Sequence, residues 1–270
     1  MDAFVRTGPL MEATSYPKWA QKLIRDCSES KRRVVEHEIY IRMRDNTLSP
    51  SIMRLYLIGG WPVVEQFSLY MGRNLGKTRY GRHPGEDMAR RWLIRNIRVE
   101  LNHADYWVNW AHAHGVSLAD MNGQDIPSEF QALNDWCWHT CTADSLAVSM
   151  AATNYAIEGA VGEWAAIVCS QNVYEESLPA EGRKRAMKWL KMHAQYDDEH
   201  PWEALEIICT LAGMNPSEAL QAELRKAVCK SYDFQYLFLQ SCLQYEKSRS
   251  CASGRNWLKA DSSRFICPGL

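Results

Sequence analysis

Residues 191–205 read KMHAQYDDEHPWEAL, and within them His193, Asp197 and His200 stand at positions i, i+4 and i+7. A helix turns about 100° per residue, so these three side chains share an arc of about 60°. Two imidazoles and a carboxylate on one face can grip a metal ion. Asp198 and Glu199 also allow a plainer reading, a polar face turned to water. The choice between them depends on what the rest of the chain offers.

Three other segments place acidic groups where apolar ones are expected. Glu65 lies in WPVVEQFSLYM, flanked by apolar residues, although a surface glutamate on an amphipathic helix would look the same. Glu100 and His103 form E-x-x-H in RRWLIRNIRVELNHADYWVNW, about 60° apart on a helix, a short pattern that also arises by chance. Glu158 sits in ADSLAVSMAATNYAIEGAVGEWAAIVCS, which has no basic residue, and Gly159 and Gly162 beside it permit close helix approach. A pair between Glu158 and an arginine of the E-x-x-H helix is its ordinary explanation. An ionised carboxylate buried without compensation costs several kcal/mol or more, roughly. Taken together, Glu65, Glu100, His103, Glu158, His193, Asp197 and His200 supply seven ligands, too many for one ion and suitable for two. Bundles build dinuclear sites from ligands on four facing helices. Mixed carboxylate and imidazole donors favour iron or manganese, and the lack of thiolate pairs argues against structural zinc.

Strand alternation with Asn-Gly or Asp-Gly turns is missing, and long helical patterns dominate. The fold class is all-α, with about seven helices expected: 17–46 (broken near Ser28-Glu29-Ser30), 49–74 (kinked at Gly59-Gly60-Trp61-Pro62), 84–115, 128–139, 143–170, 179–213 (interrupted at Pro201) and 215–246. Asn215 is the expected cap of the last, with Glu218 reaching back to it. Residues 1–246 make a single helical domain, and 247–270 lose periodicity and read as a loose C-terminal tail.

The 270 residues are 46% hydrophobic and 23% charged with a formal net charge of −1, which gives no reason to expect a nucleic-acid or anionic-membrane partner. No run reaches the ~20 apolar residues that span a bilayer. The start, MDAFVRTGPLMEATSYPKW, lacks a basic-then-apolar signal pattern. Nine scattered cysteines without a C-x-x-C pair fit a reducing, cytoplasmic location.

A ferritin-like site would have two histidines; here the last cluster has two histidines and an aspartate, giving three histidines in all, which points to another helical fold. The strings RRVVEHEIY (32–40), YLIGGWPVVEQF (56–67), HPGEDMARRW (83–92), RNIRVELNHADYW (95–107), ATNYAIEGAVGEW (152–164) and RKRAMKWLKMHAQYDDEHPWEALEII (183–208) resemble the haem-oxygenase-like diiron oxidases, which share the TenA (thiaminase-II) fold. Within that group they are similar to the branch converting medium-chain fatty acids to terminal alkenes. The resemblance runs from about Arg6 to Lys247. It implies a haem-oxygenase-like, TenA-like bundle and O2-dependent oxidative decarboxylation of dodecanoic acid to 1-undecene and CO2. It also implies two Fe(II) ions per chain, O2 as co-substrate, and an external reductant, an unidentified electron donor, because O2 takes four electrons and the substrate gives two. By the same resemblance Glu100, His103 and His193 form the first, catalytic iron site, and Glu65, Glu158, Asp197 and His200 complete the second. Trp61, Phe67, Tyr155, Trp164 and Trp189 are candidates for the substrate tunnel, though aromatics at helical spacing more often fill a core. Arg95 and Arg98 stand near Glu100 and could orient carboxylates, or simply face water.

Other readings remain. A thiaminase-II hydrolase needs an activated cysteine, for which Cys137 and Cys141 are nearest; a non-catalytic iron-binding protein needs only the ligands; a haem protein could use His37. Without metal, His193, Asp197, Glu158 and Glu65 would bring uncompensated polar groups together inside the bundle, and the segment ends at Pro201, a helix breaker. Residues of about 190–202 are therefore expected to unwind in metal-poor protein, and the second iron to bind more weakly.

Overall fold

Capping chemistry sets where the helices start. The computed structural model describes residues 3–123, 128–196 and 199–252. Helix α1 covers Lys18–Val35, α2 Glu38–Arg44, α3 Pro50–Leu75 and α4 Pro84–Ala113. Ser49 Oγ accepts from Ile52 N–H at the head of α3 and His83 Nδ1 from Gly85 N–H at the head of α4, each with proline in the first turn. A short α5, Leu118–Met121, opens with a reciprocal Ser117–Asp120 capping box, and α6 covers Ser128–Ala143. Helix α7, Leu146–Met150, passes into a π-helical stretch, Ala151–Ile157, and then into α8, Glu158–Cys169. Then follow α9 Val173–Ser177, α10 Arg183–Ala186, α11 Lys188–Tyr196, α12 His200–Ala212 and α13 Glu218–Ala252.

Thirteen α-helical segments among the described residues replace the seven expected, because several long patterns are divided by turns. The all-α class stands. The first pattern does not break at Ser28-Glu29-Ser30: Ser28 Oγ bonds back to Arg25 O and Glu29 pairs with Arg32, so the helix continues. It breaks instead at His37, whose Nδ1 accepts from Ile39 N–H and starts α2. Helix α3 runs through Gly59-Gly60-Trp61-Pro62. At the head of α13, Ser217 rather than Asn215 supplies the cap, accepting from Leu220 N–H. That helix continues to Ala252, past the expected end at Glu246, and residues 253–270 lie outside the described residues. No helix among the described residues is long and apolar enough to cross a membrane.

Helices α3 and α4 pack along each other, α8 lies against α11, and α12 packs on α4 and the π-helical stretch. Helix α13 closes over α1, α6 and the same stretch. The inward faces carry Trp107, Trp110, Tyr70, Ile39, Leu57 and Leu93, all buried. Glycine sets the spacing at one contact: a Cβ on Gly59 would stand 2.7 Å from Phe238 Cε2 and 2.9 Å from Phe130 Cδ1. The middle of α3 can therefore approach α6 and α13 only without a side chain.

Candidate metal centre

Four ionisable side chains from three helices line one internal cavity of about 50 Å³: Glu100 and His103 of α4, Glu158 of α8 and His193 of α11. They are 6%, 4%, 6% and 6% exposed, so each has left water behind. Val63, Val64, Phe67, Ile157, Val161 and Trp189 form the apolar remainder of the wall. The E-x-x-H spacing puts Glu100 Oε2 and His103 Nδ1 2.7 Å apart. His103 and His193 bring their rings to 4.6 Å across the α4–α11 contact. His193 Nδ1 stands 2.7 Å from the Trp189 carbonyl oxygen. A carbonyl can only accept, so Nδ1 carries a proton, and Nε2 is the nitrogen that a metal would use.

Glu158 is held differently. Its Oε1 accepts from Asn154 Nδ2 at 2.6 Å, and its Oε2 is 3.9 Å from His200 Nδ1. Asn154 lies in the π-helical stretch, four residues before the carboxylate and on its face. Sequence reasoning missed Asn154. Its signal was a polar residue one turn before Glu158 in an otherwise apolar helix. Of the arginines on α4, Arg95 pairs with Glu203 at 2.6 Å and Arg98 is exposed.

Glu65 does not join this group. It is exposed on α3, while Val63 and Phe67 line the cavity. Two residues along a helix is a turn of about 200°, so Glu65 faces away from the wall its neighbours build. The apolar residues next to it in sequence belong to other faces. Asp197 and Asp198, in the middle of the 190–202 segment expected to unwind, lie outside the described residues; α11 reaches Tyr196 and α12 begins at His200. Among the described residues no three carboxylate, imidazole or thiolate groups converge on one ion-sized point. The donor types fit iron or manganese nonetheless: two carboxylates and two imidazoles buried in one cavity, His200 beside Glu158, and one imidazole with its Nδ1 proton held by a carbonyl.

The tunnel candidates divide. Phe67 and Trp189 line the cavity. Beyond it an apolar arm of about 70 Å³ shares Val63, Val64, Ile157, Val161 and Trp189 and continues past Trp164, Phe130, Leu133 and Phe238 to Gln235. Trp61 is outside both, donating its indole N–H to Asn122 Oδ1 at 2.8 Å. Tyr155 lines a separate cleft of about 420 Å³ with Tyr232, Cys27 and Trp202, because the π-helical turn rotates it off the Glu158 face.

The alternative sites are occupied by structural duties. His37 is buried, with Nδ1 accepting from Ile39 and Nε2 facing the Gln240 amide at 2.9 Å, so neither nitrogen is offered to a haem iron. Cys137 and Cys141 are buried in α6, and burial pushes both thiols up, Cys141 to about 11. An attacking cysteine needs the opposite shift.

Residues 54–236 match the family described as iron-containing redox enzymes. A crystal structure of a TenA homologue from Pseudomonas syringae is 71% identical, covering 90% of this chain and 100% of its own, with a TM-score of 0.89. A TenA homologue from Pyrococcus furiosus shares the fold at 18% identity, covering 83% of this chain and 99% of its own, with a TM-score of 0.68. A domain of unknown function with a haem-oxygenase-like fold from Shewanella denitrificans does so at 13% identity, covering 87% and 97%, with a TM-score of 0.66. No curated protein matches the chain.

Proposed function

Because the chain belongs to the family of iron-containing redox enzymes, with a haem-oxygenase-like, TenA-like fold, we propose that it is an O2-dependent diiron oxidase that decarboxylates medium-chain fatty acids to terminal alkenes. The observation that carries the reading is one cavity walled by Glu100, His103, Glu158 and His193 and opening into an apolar arm. Glu100, His103 and His193 would hold one iron, and Glu158 and His200, with Asp197, the second. Iron bound there would supply the one-electron steps that couple O2 reduction to C–H oxidation.

The remaining work falls to the chain. The Trp189 carbonyl holds the Nδ1 proton of His193 and Asn154 keeps Glu158 turned inward. The indole N–H of Trp189 is buried with no acceptor among the described residues, so it is the donor available to an oxygen of the substrate carboxylate. The arm between Val63 and Phe238 takes the alkyl chain and excludes water, and the carbon β to the carboxylate is thereby fixed near the His103–His193 pair. The balance is fatty acid, O2, two electrons and two protons giving alkene, CO2 and two waters. An outside donor must supply the electrons.

The sequence strings resemble UndA, which makes 1-undecene from dodecanoic acid, and that resemblance chooses the substrate. Protein loaded with ferrous iron without air, then given dodecanoate, a reductant and O2, should release 1-undecene into the headspace. No alkene from acids of ten to fourteen carbons would remove the decarboxylase reading. The kinship with TenA homologues supports a thiaminase-type hydrolase as the second reading. Replacing Cys137 and Cys141 together by serine should abolish a hydrolase and spare an oxidase.

A further inference from the structure

Trp189 touches more than the cavity. Its ring lies 3.8 Å from that of His193 and stacks on Trp110 at 5.5 Å with planes 19° apart. Trp110 Nε1 is 2.7 Å from the Tyr174 hydroxyl, which is 2.8 Å from His114 Nε2. Trp110, Trp189 and Tyr174 are almost wholly buried. Tyr174 and His114 line a cleft of about 220 Å³ with Met43, Asn46, Leu48 and Met53. The chain of rings thus runs from the candidate metal centre to a surface opening.

The inner polar contact along it has a fixed sense. An indole N–H only donates, so the Tyr174 oxygen accepts from Trp110. With His114 neutral and the lone pair on Nε2, the phenol proton donates to that nitrogen at 2.8 Å. Burial lowers His114 to about 4 and keeps it neutral at physiological pH. Tyr174 therefore has, at one oxygen, an electronic neighbour on the inner side and a proton acceptor on the outer side. The other branch from Trp189 lacks this pairing. Trp164 stacks on Tyr40 at 4.3 Å, and Tyr40 meets Tyr56 inside the core, where burial holds both phenols protonated.

We propose that Trp189, Trp110, Tyr174 and His114 form a one-electron relay joining the metal centre to a soluble one-electron donor at the cleft. The proposal rests on the oxidase reading. In each pass Tyr174 gives one electron through Trp110 and Trp189 to the oxidised centre and its hydroxyl proton to His114 Nε2, leaving a neutral tyrosyl radical. The donor at the cleft returns one electron, losing one itself, and His114 returns the proton, which restores the phenol. Two passes deliver the two electrons that the fatty acid does not supply.

Two arms test this. In the first, ferrous-loaded protein is mixed with O2 in the absence of fatty acid and freeze-quenched for electron paramagnetic resonance. A tyrosyl signal is expected, lost in Tyr174→Phe, delayed in Trp110→Phe, and discharged by ascorbate in wild type. In the second, a near-ultraviolet flash ionises tryptophans in the metal-free protein. Absorbance should pass from tryptophanyl to tyrosyl radical, with that transfer diminished in Tyr174→Phe and unchanged in Tyr80→Phe, whose ring is exposed. Equal tyrosyl yields in wild type and Tyr174→Phe would overturn the relay. A chain that binds no iron yet passes the radical to Tyr174 keeps the relay and loses the oxidase. One that makes alkene with no Tyr174 radical loses the relay and keeps the oxidase.

Discussion

Glu65 and Glu158 have equally apolar neighbours in the sequence, and only one of them is buried. The difference is helical phase. Glu158 shares its face with groups that answer it, Asn154 and His200, whereas the residues beside Glu65 point elsewhere. Glu65→Gln should accordingly leave iron uptake unchanged, while Glu158→Gln should lower it from two ions per chain to one, as read by a colorimetric iron assay after desalting. His37 carries a second expectation. Burial holds it at about 4, below its ordinary value of 6.5. The unfolded chain binds that proton first, so stability is full above pH 6.5 and is lost as the pH falls toward 4, at about 1.4 kcal/mol per unit of separation. His37→Asn keeps a capping oxygen for α2 and should flatten the acid limb of the urea-midpoint curve between pH 6.5 and 4. An unchanged limb would mean that His37 does not set it.

At the scale of elements, the π-helical stretch Ala151–Ile157 is the feature that the sequence concealed. Its residues suit an ordinary helix, and the wider turn is settled by packing against α12 and α13, including Ser231 Oγ donating to the Ala152 carbonyl. That turn swings Tyr155 off the Glu158 face into a separate cleft, while Asn154, four residues before Glu158, stays on it. Asn154→Ala should weaken the second iron by ~10–100-fold, the usual cost of losing a group that orients a ligand, with the first iron unaffected in the same titration. Helix α3 makes the opposite demand. With Phe238 and Phe130 under 3 Å from a Cβ at Gly59, Gly59→Ala should cost about 1–3 kcal/mol in chemical denaturation. It should also shorten the preferred acid, since the added methyl projects into the arm.

For the whole molecule, much was legible in the chain and some was not. The all-α class, the E-x-x-H pair and the inward Glu158 followed from spacing and from the cost of burying charge. The number of helices did not, because a cap such as His37 and turns such as Gly182, with its positive φ, divide patterns whose hydrophobic period is continuous. Trp61 and Tyr155 were misplaced because helical spacing says which side chains share a face and not which neighbour that face meets. The proposed substrate rests on matched strings of sequence, and the proposed dinuclear centre rests on donors brought to one cavity. Anaerobic titration of the full chain with ferrous iron, followed by Mössbauer spectroscopy, tests that centre most directly. Two ions per chain should bind, the second more weakly, and His193→Ala should remove the tighter one. Absence of binding, or binding indifferent to Glu100, His103, Glu158 and His193, would contradict an iron centre in this cavity.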